Sequence, residues 1–306
     1  MIVITGATGR LGKAVRSQLT AQGVPHRGLG RRQGDGITPV DFSNSDSLKK
    51  ALSGATEIWH LAGGVRGSGT DTPDVINHQL SQSIVNAAQQ SAPQAKLLMI
   101  SSSSVYGDRS NLWVSEDMPP KPNTRYGQSK LDSEQVFLNS GQDALIVRMG
   151  AIYGDKVPFM AADHLRTKDL WLPGEGRCYI PTIHLEDAAN GIIHIAQTLS
   201  AGEIVHLADS DPMLLSEFYA LVANRLGTAH RARFWSTWVP SYMQHYLARN
   251  NERLQSKLNR SPRWTPDTLK LYTSSVRVQT TKLTEELGFT LKYPSAKVGI
   301  EASIPT

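Results

Sequence analysis

Cysteine is almost absent: Cys178 is the only one in 306 residues. A single thiol excludes an internal disulfide framework and a cysteine-rich zinc site, and its expected role is that of a small, partly buried residue. Long apolar runs are missing too, none approaching the ~18 residues that span a membrane. The chain opens directly on a strand-like segment rather than on a charged and apolar leader, so a soluble cytoplasmic protein is expected. The nine histidines are scattered and none falls in a His-Glu-x-x-His spacing, so no metal site is expected. Internal repeats and low-complexity linkers are also lacking. Charge is sparse, at 19% of residues, and leans positive by a formal +5. Arg249, Arg253, Lys257, Arg260 and Arg263 fall at roughly helical spacing, but Glu252 interrupts them and no nucleic-acid motif accompanies them. They read as a solvated helix face, and neither nucleic acid nor membrane is expected as a partner.

What is present begins at the front. "TGATGRLG", residues 5–12, follows the β-branched run Ile2, Val3, Ile4, which reads as a buried strand. After Gly12 the pattern turns helical, with Ala14, Val15 and Leu19 on one face and Gly23 where a left-handed cap would sit. Strand, glycine loop and helix in this order suit an anion: glycines let the backbone approach a phosphate, and the helix start offers free N–H groups and a positive dipole end. The pyrophosphate of a dinucleotide fits that need. A bare glycine triplet is a weak signal, and its place between strand and helix is what gives it weight.

Further on, strand-like runs alternate with helical ones: "EIWHLA" at 57–62, a helix over 77–91, "KLLMIS" at 96–101 and "ALIVR" at 144–148. The alternation, with 40% hydrophobic residues, predicts an α/β fold with a doubly wound parallel sheet. Turn-rich stretches at 63–73 and 117–123 follow strands, on the edge where such sheets bind ligands.

The second informative stretch pairs "SSSSVYGD", 101–108, with "YGQSK", 126–130. Tyr126 and Lys130, four apart, share one helix face. A tyrosine titrates near pH ~10 and is a poor acid–base group at neutrality, but a neighbouring ammonium favours its phenolate. A serine at the end of the preceding strand would hydrogen-bond a substrate oxygen while the tyrosine moves the proton. An isolated Tyr-x-x-x-Lys is often only an exposed helix pair. Together with the glycine loop and the serine strand, chance becomes a poor explanation.

At this point the chain resembles the extended short-chain dehydrogenase/reductase family, over nearly its whole length. "TGATGRLG" resembles that family's Thr-Gly-x-x-Gly-x-x-Gly, "VDFSNSDSLKKAL" its strand-Asp-helix segment where the acid meets adenine, and "HLAGG" the strand backing the cofactor. "RMGAIYGD" at 148–155, "IHLEDAA" at 183–189 and "TTKLTEELGF" at 280–289 resemble later landmarks more weakly. The resemblance implies a Rossmann-type sheet at 1–153 and 181–207, with a smaller, mostly C-terminal substrate-binding lobe at 154–180 and 208–306. It selects Ser102, three residues before Val105, as the catalytic hydroxyl, Tyr126 as acid and base, and Lys130 as its activator and a contact of the nicotinamide ribose. Gly6, Thr8, Gly9, Arg10, Leu11, Gly12, Asp41, Phe42, Leu61, Ala62 and Gly63 inherit cofactor contacts, and dimers through a helical face are common in the family.

Departures from the family pattern narrow the expectation. NAD users of the family commonly end the second strand with an acid for the adenosine ribose; here Gly30 stands there, followed by Arg31 and Arg32. Two guanidinium groups suit a 2′-phosphate, Arg10 would add a third, and NADP is expected over NAD. Sugar-nucleotide enzymes of the family often carry Asn and Arg where this chain has Ala151 and Ile180, and dehydratases an Asp-Glu pair where it has Ser103 and Ser104. A small, weakly charged carbonyl substrate is therefore expected, with Trp171, Tyr179, Phe234, Trp235, Trp238, Tyr242 and Trp264 available to line an apolar pocket or fill the lobe's core. Three functions stay open: an NADPH-dependent reductase, a nucleotide-sugar epimerase that keeps its cofactor, and an NADP-sensing regulatory protein. The last typically lacks the Tyr–Lys pair.

Overall fold

The computed structural model describes residues 1–64, 73–110, 112–154, 165, 169–234, 241–257 and 265–304, apart from the side chains of 73–76, 230, 241, 242, 252 and 255–257. Trp235, Trp238, Trp264, Arg260 and Arg263 lie outside the described residues. The N-terminal half runs β1 (Ile2–Thr5), α1 (Arg10–Ala21), β2 (His26–Gly30), β3 (Ile37–Pro39), α2 (Ser45–Leu52), β4 (Glu57–His60) and α3 (Pro73–Ser91). It continues through β5 (Lys96–Ser102), β6 (Trp113–Val114), α4 (Arg125–Leu138), β7 (Ala144–Met149) and β8 (Ala151–Tyr153). There follow β9 (Leu170–Leu172), β10 (Thr182–His184), α5 (Leu185–Thr198), β11 (Ile204–Leu207), α6 (Leu215–Arg225), β12 (Ala232–Phe234) and α7 (Ser241–Lys257). The last elements are α8 (Pro266–Thr273), β13 (Arg277–Val278) and α9 (Ala296–Ser303).

Seven strands form one parallel sheet in the order β11-β7-β5-β4-β1-β2-β3. Strand residues alternate between two cores, as the twofold period of a strand requires. Ile2, Ile4, Trp59, Leu98, Ile100, Leu145 and Val147 pack on the α1 and α5 side. Val3, Ile58, Leu97, Met99 and Ile146 pack on the side of α2, α3 and α4. Both faces are covered, which is why these strands read as near-continuous apolar runs. The chain moves outward from β1 through β2 and β3, then returns to β4 on the other side of β1. That reversal opens a crevice at the carboxyl ends of β1 and β4.

A third apolar cluster gathers Tyr153, Leu170, Leu172, Cys178, Phe218, Tyr219, Tyr272 and Ile300 beside the sheet. Three further parallel strand pairs form, β8 with β10, β9 with β12 and β6 with β13; β8, β9 and β12 contribute to this cluster, while Val114 and Val278 of the last pair pack with Val105 and Tyr106. Among the described residues no helix is long and apolar enough to cross a membrane.

Candidate active site

The crevice is a cleft of about 470 Å³ whose walls come from the glycine loop, the ends of β4, β5 and β7, helix α4, and the segments around Tyr179 and α8. Helix α1 begins at Arg10, earlier than the sequence pattern suggests, because Gly9 holds an extended backbone (φ −71°, ψ 170°) as its N-cap. No side chain caps that end. Its first-turn N–H groups therefore lie at the cleft wall, the arrangement that binds phosphate. Two of the three glycines have an internal reason as well. Gly6 has φ +70°, and a Cβ there would come within 2.6 Å of Ala62 N. A Cβ on Gly12 would collide with the Gly6 carbonyl. Leu61, Ala62 and Gly63 line the cleft from the end of β4.

Arg10 lines the cleft, and its Nη2 donates to Ile152 O at 3.2 Å. Ile152 lies in β8, beyond the β7 side of the sheet, whereas Arg31 and Arg32 follow β2 on the opposite side of β1. Both of those arginines are exposed. A Cβ at Gly30 would come within 2.9 Å of Ile37 Cγ2 and 3.2 Å of Thr8 Cγ2, so a side chain there would have to displace these two methyls. Exposed Asp41 accepts from the backbone N–H and hydroxyl of Ser43, and these bonds hold its carboxyl below the ordinary range. Phe42 packs on the core beside it.

At the other end of the cleft, Ser102, Tyr126 and Lys130 converge. Ser102 Oγ accepts from Ser104 N (3.2 Å) and Ser104 Oγ (2.9 Å), and it is hydrogen-bonded to the Tyr126 hydroxyl. Two incoming donors leave the Ser102 hydrogen free to point to the tyrosine or to a substrate oxygen. Helix α4, capped by Thr124 through Gly127 N at 3.0 Å, brings Tyr126 and Lys130 to the same wall. Burial pushes the Tyr126 hydroxyl above its ordinary value, against the hydrogen bond from Ser102. This reverses the expectation that the lysine draws it down: desolvation dominates, and the phenol stays protonated. Burial also lowers Lys130 to about 8, while Glu134, one turn along the helix, holds it up.

Sequence reasoning missed Asn77, 3% exposed on α3. Its Oδ1 accepts from Gly64 N at 3.0 Å, and its Nδ2 donates to Gly64 O (3.1 Å) and Ser129 Oγ (3.1 Å). It staples the loop after β4 to α4, and a Cβ added at Gly63 would lie 3.5 Å from Asn77 Oδ1 and 3.4 Å from Lys130 Nζ. An asparagine inside a helix gives no local signal of such a role. His60 was missed too: its Nδ1 meets Thr5 Oγ1 at 2.8 Å, and burial together with the Lys130 charge drives it down to about 3, so it stays neutral.

The remaining lining is mostly apolar: Met149, Ala151, Ile152, Ile180, Pro181, Leu271 and Val276, with Tyr179. Its polar groups are Asn123, Lys270 and Ser274. Lys270 Nζ donates to Asn123 O (2.9 Å), and Asn123 Nδ2 donates to Ser274 Oγ (2.7 Å). Of the described aromatic residues expected at the pocket, only Tyr179 lines it. Trp171 is 44% exposed beneath the Arg233 guanidinium, and Phe234 packs on the cluster beside the sheet that holds Tyr153 and Phe218. Cys178 is buried, with Sγ 3.1 Å from Tyr272 O and its thiol pushed up to about 11, an inert packing residue.

The chain matches the NAD dependent epimerase/dehydratase family over residues 2–208. It is 28% identical over 243 residues to a 4-hydroxy-2-methyl-3-oxo-4-farnesyl-3,4-dihydroquinoline-1-oxide ketoreductase of Stigmatella aurantiaca, covering 73% of this chain and 72% of that one. Among solved structures, MoeE5 in complex with UDP-glucuronic acid and NAD superposes with a TM-score of 0.77 at 20% identity, covering 99% and 97% of the two chains. The human epimerase family protein SDR39U1 with NADPH gives 0.76 at 17% identity, covering 99% and 98%. A parallel sheet reversing at β1, an uncapped glycine-rich helix start and the Ser–Tyr–Lys wall agree with these matches, and the chain belongs to the NAD dependent epimerase/dehydratase family as an NAD(P)-dependent enzyme.

Proposed function

We propose that the protein reduces the carbonyl group of a small, weakly charged substrate, with NADPH as the preferred cofactor. The observation that carries the reading is the Tyr126 hydroxyl, hydrogen-bonded to Ser102 at a wall whose substrate side is apolar. Glycine-loop residues Gly6, Thr8, Gly9, Leu11 and Gly12 would hold the pyrophosphate, Leu61, Ala62 and Gly63 the face beyond it, and Arg31 and Arg32 a 2′-phosphate, with Asp41 and Phe42 at the adenine. When bound, the reduced nicotinamide supplies the hydride.

The rest of the chemistry belongs to this chain. Ser102 donates a hydrogen bond to the carbonyl oxygen and fixes its position. As negative charge develops there, Tyr126 gives up its proton, the task for which a neutral phenol is suited. The Lys130 ammonium, positive below about pH 8, stabilises the phenolate left behind. Ala151 and Ile180 offer no charge to a nucleotide diphosphate at that wall, whose lining is mostly apolar. These features support reduction over sugar-nucleotide epimerisation.

The test offers apolar ketones and aldehydes with excess NADPH. Oxidised cofactor accumulating in step with product is expected. Interconversion of a nucleotide sugar without net cofactor consumption would replace this reading with the epimerase. Cofactor binding without any turnover would replace it with the sensor.

A further inference from the structure

Behind the Ser–Tyr–Lys wall lies a buried ionic network that the chemistry above does not use. Glu134, fully buried on α4, meets Arg148, 3% exposed on β7, through two hydrogen bonds: Nε to Oε1 at 3.0 Å and Nη2 to Oε2 at 2.8 Å. Ser101, the residue before Ser102 on β5, also donates its hydroxyl to Glu134 Oε1. Arg148 Nη1 donates to the Tyr106 hydroxyl (2.7 Å) and to Glu116 O (3.2 Å). Tyr106 donates in turn to His206 Nε2 at 2.6 Å, whose Nδ1–H is directed at Gln279 O at 2.8 Å. One carboxylate thus touches both elements that carry the reacting groups: α4, with Tyr126 and Lys130, and β5, with Ser102.

A buried ion pair is a poor stabiliser, since desolvating two charges costs about what their attraction returns. This one therefore calls for a role other than stability. We propose that Glu134, held by Arg148, is a positioning residue of the reduction: it clamps the Tyr126–Lys130 helix to the Ser102 strand and keeps the Lys130 side chain charged. The proposal rests on the carbonyl-reductase reading for its kinetic consequence but not for its electrostatic one. Among the described residues, the titratable groups facing Lys130 are Glu134 on its own helix and, from β4, His60, which burial keeps neutral. Tyr126, one turn back, is protonated. Glu134 is then the one described group whose charge sustains the ammonium.

The test uses two variants of the full chain, Glu134→Gln and the double variant E134L/R148M, which removes both buried charges together so that neither is stranded. The Lys130 amine is followed by its ¹⁵Nζ resonance, assigned with Lys130→Met, and cofactor affinity and pH–rate profiles are recorded alongside. In E134Q the lysine should titrate about one pH unit lower, and the alkaline limb of kcat should move with it while KM changes little. In the double variant Glu134 is gone as well, so the lysine should likewise titrate lower than in the native protein. Without the clamp, kcat at the pH optimum should still fall roughly tenfold or more with NADPH affinity retained. A lysine resonance unmoved in E134Q, or a double variant with native kcat, overturns the proposal. If E134Q does not fold, the double variant's kcat decides. If no carbonyl compound is turned over by the native protein, the reductase reading fails and the lysine titration still decides whether Glu134 keeps Lys130 charged.

Discussion

At the tyrosine end of the cleft, polar side chains answer one another: Ser104 donates to Ser102, Ser102 meets Tyr126, Asn77 ties the β4 loop to α4, and Glu134 joins Ser101 to Arg148. At the Gly30 end, Arg31 and Arg32 stand exposed, and neither forms an ion pair among the described residues. One end is organised before any ligand arrives, and the other presents bare charge to water. Pre-organised groups suit a transition state, because they cost no rearrangement at the moment of reaction. Exposed charges suit recognition of a phosphate that brings its own geometry.

The largest expected effect comes from breaking the organised end. Tyr126→Phe removes one hydroxyl, so turnover should drop by a factor on the order of 10² or more, with NADPH affinity and thermal midpoint near native. Stopped-flow and calorimetry check the pair of outcomes, and near-normal turnover would move the proton transfer elsewhere. Breaking the exposed end should do the converse. Replacing Arg31 and Arg32 by alanine should weaken NADPH roughly tenfold or more, leaving NADH affinity and kcat with saturating cofactor little changed. Isothermal titration decides this, and equal affinities for the two cofactors in the native protein would refute the assignment.

A third measurement sharpens the contrast through pH. Lys130 is charged below about 8 and loses its proton above it, so kcat should fall as pH rises through that value. Cofactor discrimination, resting on the guanidinium pair rather than on Lys130, should not change over the same range. The smallest effect at neutrality concerns His60. Its folded value near 3 lies below its unfolded value near 6.5, so the unfolded chain takes up a proton that the fold refuses. Stability is full above about pH 6.5 and should decline as pH falls toward 3, by at most about 1.4 kcal/mol per unit. His60→Gln should flatten that decline, as read from thermal melts across the acid range.

The two ends also differed in how far the amino-acid order revealed them. The glycine loop, Gly30 and the arginine pair are contiguous, so local spacing exposed them, and the buried apolar runs of β1, β4, β5 and β7 marked the sheet. Tyr126 and Lys130 were legible because a helix places residues four apart on one face. Ser102 was picked from four consecutive serines by resemblance, and the structure supplies the reason that geometry distinguishes it: Ser101 turns to Glu134 while Ser104 serves Ser102. Asn77, Glu134, Arg148 and Lys270 stayed hidden because each acquires its partner from a remote stretch, as Lys270 does with Asn123. Arg10 lines the cleft as its place in the glycine loop suggests, but nothing nearby in sequence signals its bond to Ile152 O. Tyr126 misled because helical spacing shows a neighbouring lysine but not burial, and burial raises the phenol against its bond with Ser102.

The position of β11 bears on how the chain is made. Strand β7 pairs with β5 on one side and with β11 on the other, matching Ile146 to Ile204 and Val147 to Val205. All six residues of β7 are buried in the finished sheet. On a ribosome, the outer edge of β7 has no partner until the chain has grown from Met149 through Ile204 to Leu207. At roughly 5–20 residues per second, that interval lasts on the order of several seconds. Throughout it the nascent protein presents an apolar, open strand, the kind of edge that pairs with other chains. Synthesis that stalls between these strands would therefore release fragments prone to aggregate, and the latest strand of the large sheet to be made is the one that closes this edge.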